Sequence, residues 1–197
     1  MLPTIGEVTG DKRDLRRAVL ERRGRQGRET VATADRARTS LILGRLTAEL
    51  PVGSVAAYLS ERSEPGTAAL VAALHAAGVT VLLPRLQREP DWAEFQGPGS
   101  VGPGRWGIPE PLTPALGAGS LAGAGLIVLP GLLATPEGVR LGRGGGWYDR
   151  ALLHASPGAP RWLLLNDDEV VDDLPVEAHD QPVTAIVTPT RWIDCGE

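Results

Sequence analysis

Residues 55–84 read VAAYLSERSEPGTAALVAALHAAGVTVLLP. Two short apolar runs, Val55–Leu59 and Val79–Leu83, flank a segment rich in alanine and leucine, Thr67–Ala77. Gly78 stops that segment as a helix, and Pro84 closes the second run. Strand, helix and strand in this order make a βαβ unit, whose crossover favours a parallel sheet. Ser60–Gly66 is the polar loop between them.

The same alternation extends outward. Residues 11–27 read as a helix with a basic face (Arg13, Arg16, Arg17, Arg22, Arg23) and a modest apolar stripe of Leu15, Val19 and Leu20. A second helix is expected from Thr33 to Leu50, where Pro51 ends it. Beyond the unit, residues 87–119 look irregular apart from a strand at Trp92–Phe95. Leu126–Leu129 reads as a strand, Trp147–His154 as a helix, and Arg161–Leu165 and Ala185–Thr188 as the last strands. The class is α/β: a single three-layer domain, residues 1–197, with a mostly parallel sheet and helices on both faces. Residues 1–10 and 190–197 are expected to be peripheral tails.

Composition narrows the function classes. A chain of 197 residues suits one domain, and 42% apolar with 22% charged residues argues against wholesale disorder. The 25 glycines and 17 prolines predict many turns but follow no fixed period. A net charge of −4 gives no support to a general nucleic-acid coat. Of the 20 basic residues only Lys12 is a lysine. Cys195 is the sole cysteine, which excludes an intrachain disulfide and a cysteine-based zinc site. The N-terminus lacks the apolar core of a signal peptide, so a cytoplasmic location is expected. Residues 111–136 carry no charge, yet Pro114, Pro130 and Pro136 would break a spanning helix, so no membrane partner is expected either. No Ser-His-Asp or Cys-His set is evident, and His75, His154 and His179 show no metal-ligand spacing.

The most informative segment is 129–150, LPGLLATPEGVRLGRGGGWYDR. A buried strand leads through a loop to Gly142, Gly144, Gly145 and Gly146 and then to a helix. Consecutive glycines let backbone N–H groups approach an anion closely, and a helix N-terminus adds unpaired donors. Arg140 and Arg143 flank the glycines and can fork onto phosphate oxygens, while Asp149 can hold Mg²⁺. The pattern is neither GxGxxG nor GxxxxGK[ST]. A phosphate site and a solvated arginine loop both remain open on the residues alone. The position beyond an apolar strand favours the site.

The segment resembles the signature of the 5-formyltetrahydrofolate cyclo-ligase (5,10-methenyltetrahydrofolate synthetase) family, PGL-x-F-D-x-x-G-x-R-L-G-x-G-x-G-Y-Y-D. Pro130, Gly131, Leu132, Gly138, Arg140, Leu141, Gly142, Gly144, Gly146, Tyr148 and Asp149 fall in register. KRDLR at 12–16, YLSERSEPGT at 58–67, LPR at 83–85, WGIPEP at 106–111 and DLPVEAHD at 173–180 also correspond, in order. The resemblance implies a fold like that of NagB, RpiA and the CoA transferases. It also implies an enzyme that uses MgATP to cyclise 5-formyltetrahydrofolate; a monomer is expected. By the same resemblance Lys12, Arg16, Arg140, Gly142, Arg143, Gly144, Gly145, Gly146, Trp147 and Tyr148 contact ATP, with Arg143 and Lys12 as catalytic residues. Leu59, Glu64, Trp106, Arg143 and Trp147 contact the folate, and Asp149 and Asp180 hold magnesium.

The chain departs from the family pattern at four places. Trp147 replaces the first of two tyrosines, the loop at Thr135-Pro136 lacks the family's Phe-Asp, Thr184 stands where Asp is common, and Glu169 where Gln is frequent. Trp147 motivates one alternative, a paralogue that activates a different amide or formamide; a second is a non-catalytic nucleotide or folate sensor, because sheets of this kind also serve as ligand-sensing modules.

Overall fold

The structure is a computed structural model that describes residues 11–49, 53–61, 63–177 and 180–196. Residues 1–10, the expected N-terminal tail, lie outside the described residues.

Four α-helices are present among the described residues: α1 (Lys12–Arg23), α2 (Arg28–Glu49), α3 (Ala68–Ala76) and α4 (Trp147–Leu152). Asp11 caps α1, its carboxylate accepting from Arg13 N at 2.9 Å and Asp14 N at 3.0 Å. The helix is shorter than expected because Gly24 turns the chain, its N–H closing on Leu20 O at 3.0 Å. Correspondingly, α2 begins five residues before Thr33, at Arg28. Its first turn carries Glu29, favourable at a helix N-terminus but invisible to apolar periodicity.

The main sheet has seven strands: β1 (Ser54–Ala56), β2 (Thr80–Arg85), β3 (Asp91–Glu94), β6 (Leu126–Pro130), β9 (Arg161–Leu164), β10 (Ala185–Val187) and β11 (Trp192–Asp194). Their order is β11-β10-β9-β6-β1-β2-β3. The five inner strands run parallel; β3 and β11 add antiparallel edges. Thus Ala185–Thr188 is not the last strand. β11 is three residues long and follows two threonines, too short for a periodic signal. Trp192 secures it, meeting the Trp162 ring edge-on at 4.7 Å.

Two hairpins also escaped the sequence: β4 (Val101–Pro103) with β5 (Pro109–Pro111), and β7 (Leu133–Ala134) with β8 (Arg140–Leu141). The first lies within the stretch expected to be irregular. Its strands read VGP and PEP, a composition normally depleted from sheets, which an isolated edge hairpin tolerates.

Strand alternation divides the core in two. Val55, Val81, Leu126, Val128, Leu164 and Val187 face α2 and α3, whereas Ala56, Leu82, Ile127, Leu129, Leu163 and Ile186 face α4 and the 3-10 turn at 118–123. Helices therefore cover both faces of the sheet, as expected. A third, smaller cluster seats Leu15 and Val19 of α1 on Leu132, Leu133 and Leu141. The chain runs from β1 to β2 on one side, then returns to place β6 on the other side of β1. The reversal leaves a crevice beyond the C-terminal ends of β1 and β6, where open α/β sheets bind ligands.

Candidate active site

The crevice holds a cleft of about 670 Å³. Tyr58 and Leu59 line it from the end of β1, and Pro130 and Gly131 from the end of β6. The loop after β1 folds back on the strand. Tyr58 Oη donates to Pro65 O at 2.9 Å, and Thr67 Oγ1 donates to Tyr58 O. This return places Glu61 and Glu64 in the cleft wall.

The opposite wall is the glycine loop, 142–146. Gly144 and Gly146 take φ values of +95° and +60°, which L side chains rarely adopt. A Cβ on Gly145 would meet nothing within 4 Å, so its backbone faces open space. Arg16 steadies the loop from α1, its Nε donating to Gly142 O at 2.9 Å. The following helix α4 is only six residues long and has no side-chain cap. The loop backbone and its arginines, rather than a long helix dipole, are what this wall offers an anion.

Charged groups converge from both walls. Arg140, nearly buried, pairs with Asp149, and its Nε donates to Gln181 O at 3.2 Å. Burial pulls the Arg140 guanidinium below its ordinary pKa, while Asp149 and Asp180 push it back up. Lys12 Nζ pairs with Asp180 at 3.0 Å and Glu177 at 3.4 Å. Arg143 crosses the cleft: Nε donates to Glu64 Oε1 at 3.1 Å, and Nη2 reaches Glu61 and, at 2.6 Å, Ser63 Oγ. The Glu64 side chain is 8% exposed, and burial pushes its pKa up to about 7 against the pull of Arg23. Burial also raises the Tyr148 phenol, with Glu64 acting in the same direction.

A sequence model of the 5-formyltetrahydrofolate cyclo-ligase family matches residues 8–189. The chain belongs to this family. A 5-formyltetrahydrofolate cyclo-ligase of Mycolicibacterium smegmatis is 37% identical over 147 residues, 71% of this chain and 75% of the relative. One of Escherichia coli is 30% identical over 143 residues, 70% of this chain and 79% of the relative. The 5,10-methenyltetrahydrofolate synthetase of Aquifex aeolicus superposes with a TM-score of 0.77 at 26% identity, covering 94% of this chain and 93% of that one. The Mycoplasma pneumoniae synthetase gives 0.74 at 16% identity, covering 91% and 99%, a likeness of fold.

The cyclo-ligase resemblance named fifteen site residues, and fourteen of them line this one cleft: Lys12, Arg16, Leu59, Glu64, Arg140, the positions from Gly142 through Asp149, and Asp180. The fifteenth is Trp106, whose side chain lies outside the described residues; its backbone sits in a 3-10 turn between cleft-lining Arg105 and Ile108. His179 also lies outside them. Trp147 is anchored inward: it packs edge-on against buried Trp92 at 5.5 Å and Tyr148 at 4.9 Å, and its Nε1 donates to Gln87 O at 3.2 Å. Thr184 lines no part of the cleft; its Oγ1 accepts from Arg161 N at 2.8 Å at the start of β9.

The sequence reading missed Glu61 and Ser63, the other partners of Arg143, and the cleft-lining Arg88, Arg105 and Arg150. The spacing of Glu61 and Glu64 around a strand-end loop was a usable signal for the first. The arginines come from separate loops, and no local pattern joins them.

The donor set for a metal is all oxygen. Asp149 and Asp180 both line the cleft, the first paired with Arg140 and the second with Lys12. No group of three or more His, Cys, Asp or Glu able to hold a metal occurs among the described residues. Asp149 and Asp180 would supply carboxylate oxygens to a Mg²⁺ ion, which takes one or two carboxylates and completes its octahedron with phosphate oxygens and water. No described helix is long and apolar enough to cross a membrane.

Proposed function

We propose that the chain converts 5-formyltetrahydrofolate and ATP to 5,10-methenyltetrahydrofolate, ADP and phosphate at this cleft. One observation carries the residue assignment: a cationic glycine loop and a buried carboxylate confront each other across a single crevice at the switch point.

The chemistry explains why both walls are needed. The N5-formyl group is an amide, so its carbon is a poor electrophile and its oxygen a poor leaving group. Transfer of the γ-phosphoryl breaks the bond to the ADP oxygen and forms a bond to the formyl oxygen, leaving an iminium phosphate. N10 attacks the formyl carbon, loses its proton, and phosphate departs. Such transfer needs positioning and charge neutralisation rather than a protein nucleophile. Arg143, Arg140, Arg16 and Lys12 neutralise phosphate oxygens, and the 142–146 backbone donates to them. Glu64 accepts from the 2-amino and ring N–H groups of the pterin, a paired geometry that suits a carboxylate. Asp149 and Asp180 would hold Mg²⁺, which neutralises triphosphate charge when bound. The indole and phenol rings of Trp147 and Tyr148 form an apolar wall beside the folate rings.

The test is a spectrophotometric assay with 5-formyltetrahydrofolate, Mg²⁺ and ATP. Methenyltetrahydrofolate should appear only when all three are present. Folded protein that binds ATP yet forms no product would refute this substrate and favour another amide.

A further inference from the structure

Beneath the cleft lies a buried ion pair that the catalytic scheme above does not use. Arg23 of α1 and Glu169, in the loop after β9, have side chains only 2% exposed each. Arg23 Nε and Nη2 each donate to one Glu169 oxygen at 2.7 Å. Asn166 completes the carboxylate: its N donates to Oε2 at 2.7 Å and its Nδ2 to Oε1 at 2.8 Å. Each oxygen thus receives two donors. A glutamine would turn its NH₂ against two of them, so this position demands a carboxylate.

The rest of the guanidinium faces the site. Nη1 donates to Ser63 O at 3.1 Å and Nη2 to Gly131 O at 2.8 Å. Ser63 O belongs to the peptide that leads into Glu64, and Gly131 follows β6. One side chain therefore ties together both lips of the switch-point crevice, and Glu169 ties that side chain to a third segment.

We infer that Arg23 and Glu169 are a positioning pair for the substrate-side carboxylate. Arg23 fixes the Ser63–Glu64 peptide against the end of β6. Glu169 keeps the pair neutral, so no bare buried cation sits under Glu64. The inference rests on the reading of Glu64 as the pterin-binding group. The charge of Arg23 reaches both Glu64 and Arg143. The other charged or titratable groups around Glu64 are Arg143 from the glycine loop, Tyr148 from α4, and Tyr58 and Glu61 from its own segment.

Two full-length variants test this against a merely structural role. Replacing a buried pair by apolar residues of similar volume is often neutral for stability. Here the swap also leaves Ser63 O, Gly131 O and Asn166 without their partners, so Arg23→Met/Glu169→Leu should melt below the wild type. In the folded protein it should raise KM for 5-formyltetrahydrofolate about tenfold through loss of positioning. The Kd of a non-hydrolysable ATP analogue, measured by calorimetry, should stay within about twofold. Glu169→Gln leaves Arg23 uncompensated and should shift the acidic limb of the folate KM profile to lower pH. If the double variant does not fold, Arg23→Lys carries its expectation, because lysine keeps the charge but cannot reach both carbonyls. An unchanged folate KM in a folded variant, or an unmoved limb in Glu169→Gln, overturns the inference. A wild-type protein without turnover would instead overturn the proposed function, so the two failures are distinguishable.

Discussion

Arg143 Nε and Glu64 Oε1 meet at 3.1 Å across the cleft, joining the glycine loop to the loop after β1. Each is the group that its wall offers to a ligand. In the proposed site, phosphate at Arg143 and pterin at Glu64 would both loosen the same bridge, so the ligand that arrives first would lighten the task of the second.

Arg143→Ala should lower kcat/KM by about 10²-fold, the scale of a lost charge-assisted contact in a phosphoryl-transfer site. Arg143 is 39% exposed, so the variant's melting temperature should fall only modestly, through the bonds to Glu61, Ser63 and Glu64 that it no longer makes. Steady-state kinetics with ATP as the varied substrate, beside a thermal melt, check both. Full activity would remove Arg143 from the mechanism.

Burial lifts Glu64 to about pH 7 from an ordinary 4.5, which gives two pH signatures of known sign. In the proposed site the ionised form accepts from the pterin, so folate KM should fall as pH rises through about 7. The folded state holds its proton more tightly than the unfolded chain. The destabilising effect is therefore absent below 4.5, grows between 4.5 and 7, and is full above 7. Glu64→Gln should abolish the limb in KM and raise the melting temperature at pH 8 but not at pH 4. A retained limb in the variant would assign the titration to another group.

The βαβ unit and the parallel core were legible because Val55, Val81 and Leu126 sit in short apolar runs bounded by Gly or Pro. The residues of the glycine loop were legible because their spacing is local. Cross-cleft partners were not. Glu61 lies 82 positions from Arg143, and Arg23 lies 146 from Glu169. Such pairs exist only once the sheet order has folded distant loops together. The hairpins at 101–111 and 133–141 were hidden for another reason: their strands are two or three residues long, and one is rich in Gly and Pro.

Two neighbouring glycines separate backbone strain from ligand contact. At Gly144, φ is +95° and an added Cβ would lie 3.2 Å from Arg16 Cζ. Gly144→Ala should destabilise the fold by about 1 kcal/mol and disturb the Arg16 contact. At Gly145 φ is not in the left-handed region and an added Cβ meets nothing within 4 Å. Gly145→Ala should therefore leave stability unchanged while weakening ATP binding, because the methyl enters the space the phosphates would use. Calorimetric titration with a non-hydrolysable ATP analogue, paired with thermal melts, reads both. Unaltered affinity in Gly145→Ala would place the phosphates elsewhere.

Asp149 has two partners to serve. It neutralises Arg140, whose side chain is 4% exposed, and in the proposed site it also takes part in holding Mg²⁺. Asp149→Asn keeps the shape but removes the charge. Arg140 then stays buried with no counter-ion on that side, a loss of about 1–3 kcal/mol in stability. The magnesium concentration needed for half-maximal rate should rise several-fold, because the remaining carboxylate, Asp180, is bonded to Lys12 at 3.0 Å. Excess Mg²⁺ should recover turnover without recovering the melting temperature. A variant that lost stability but kept the wild-type magnesium dependence would confine Asp149 to pairing with Arg140.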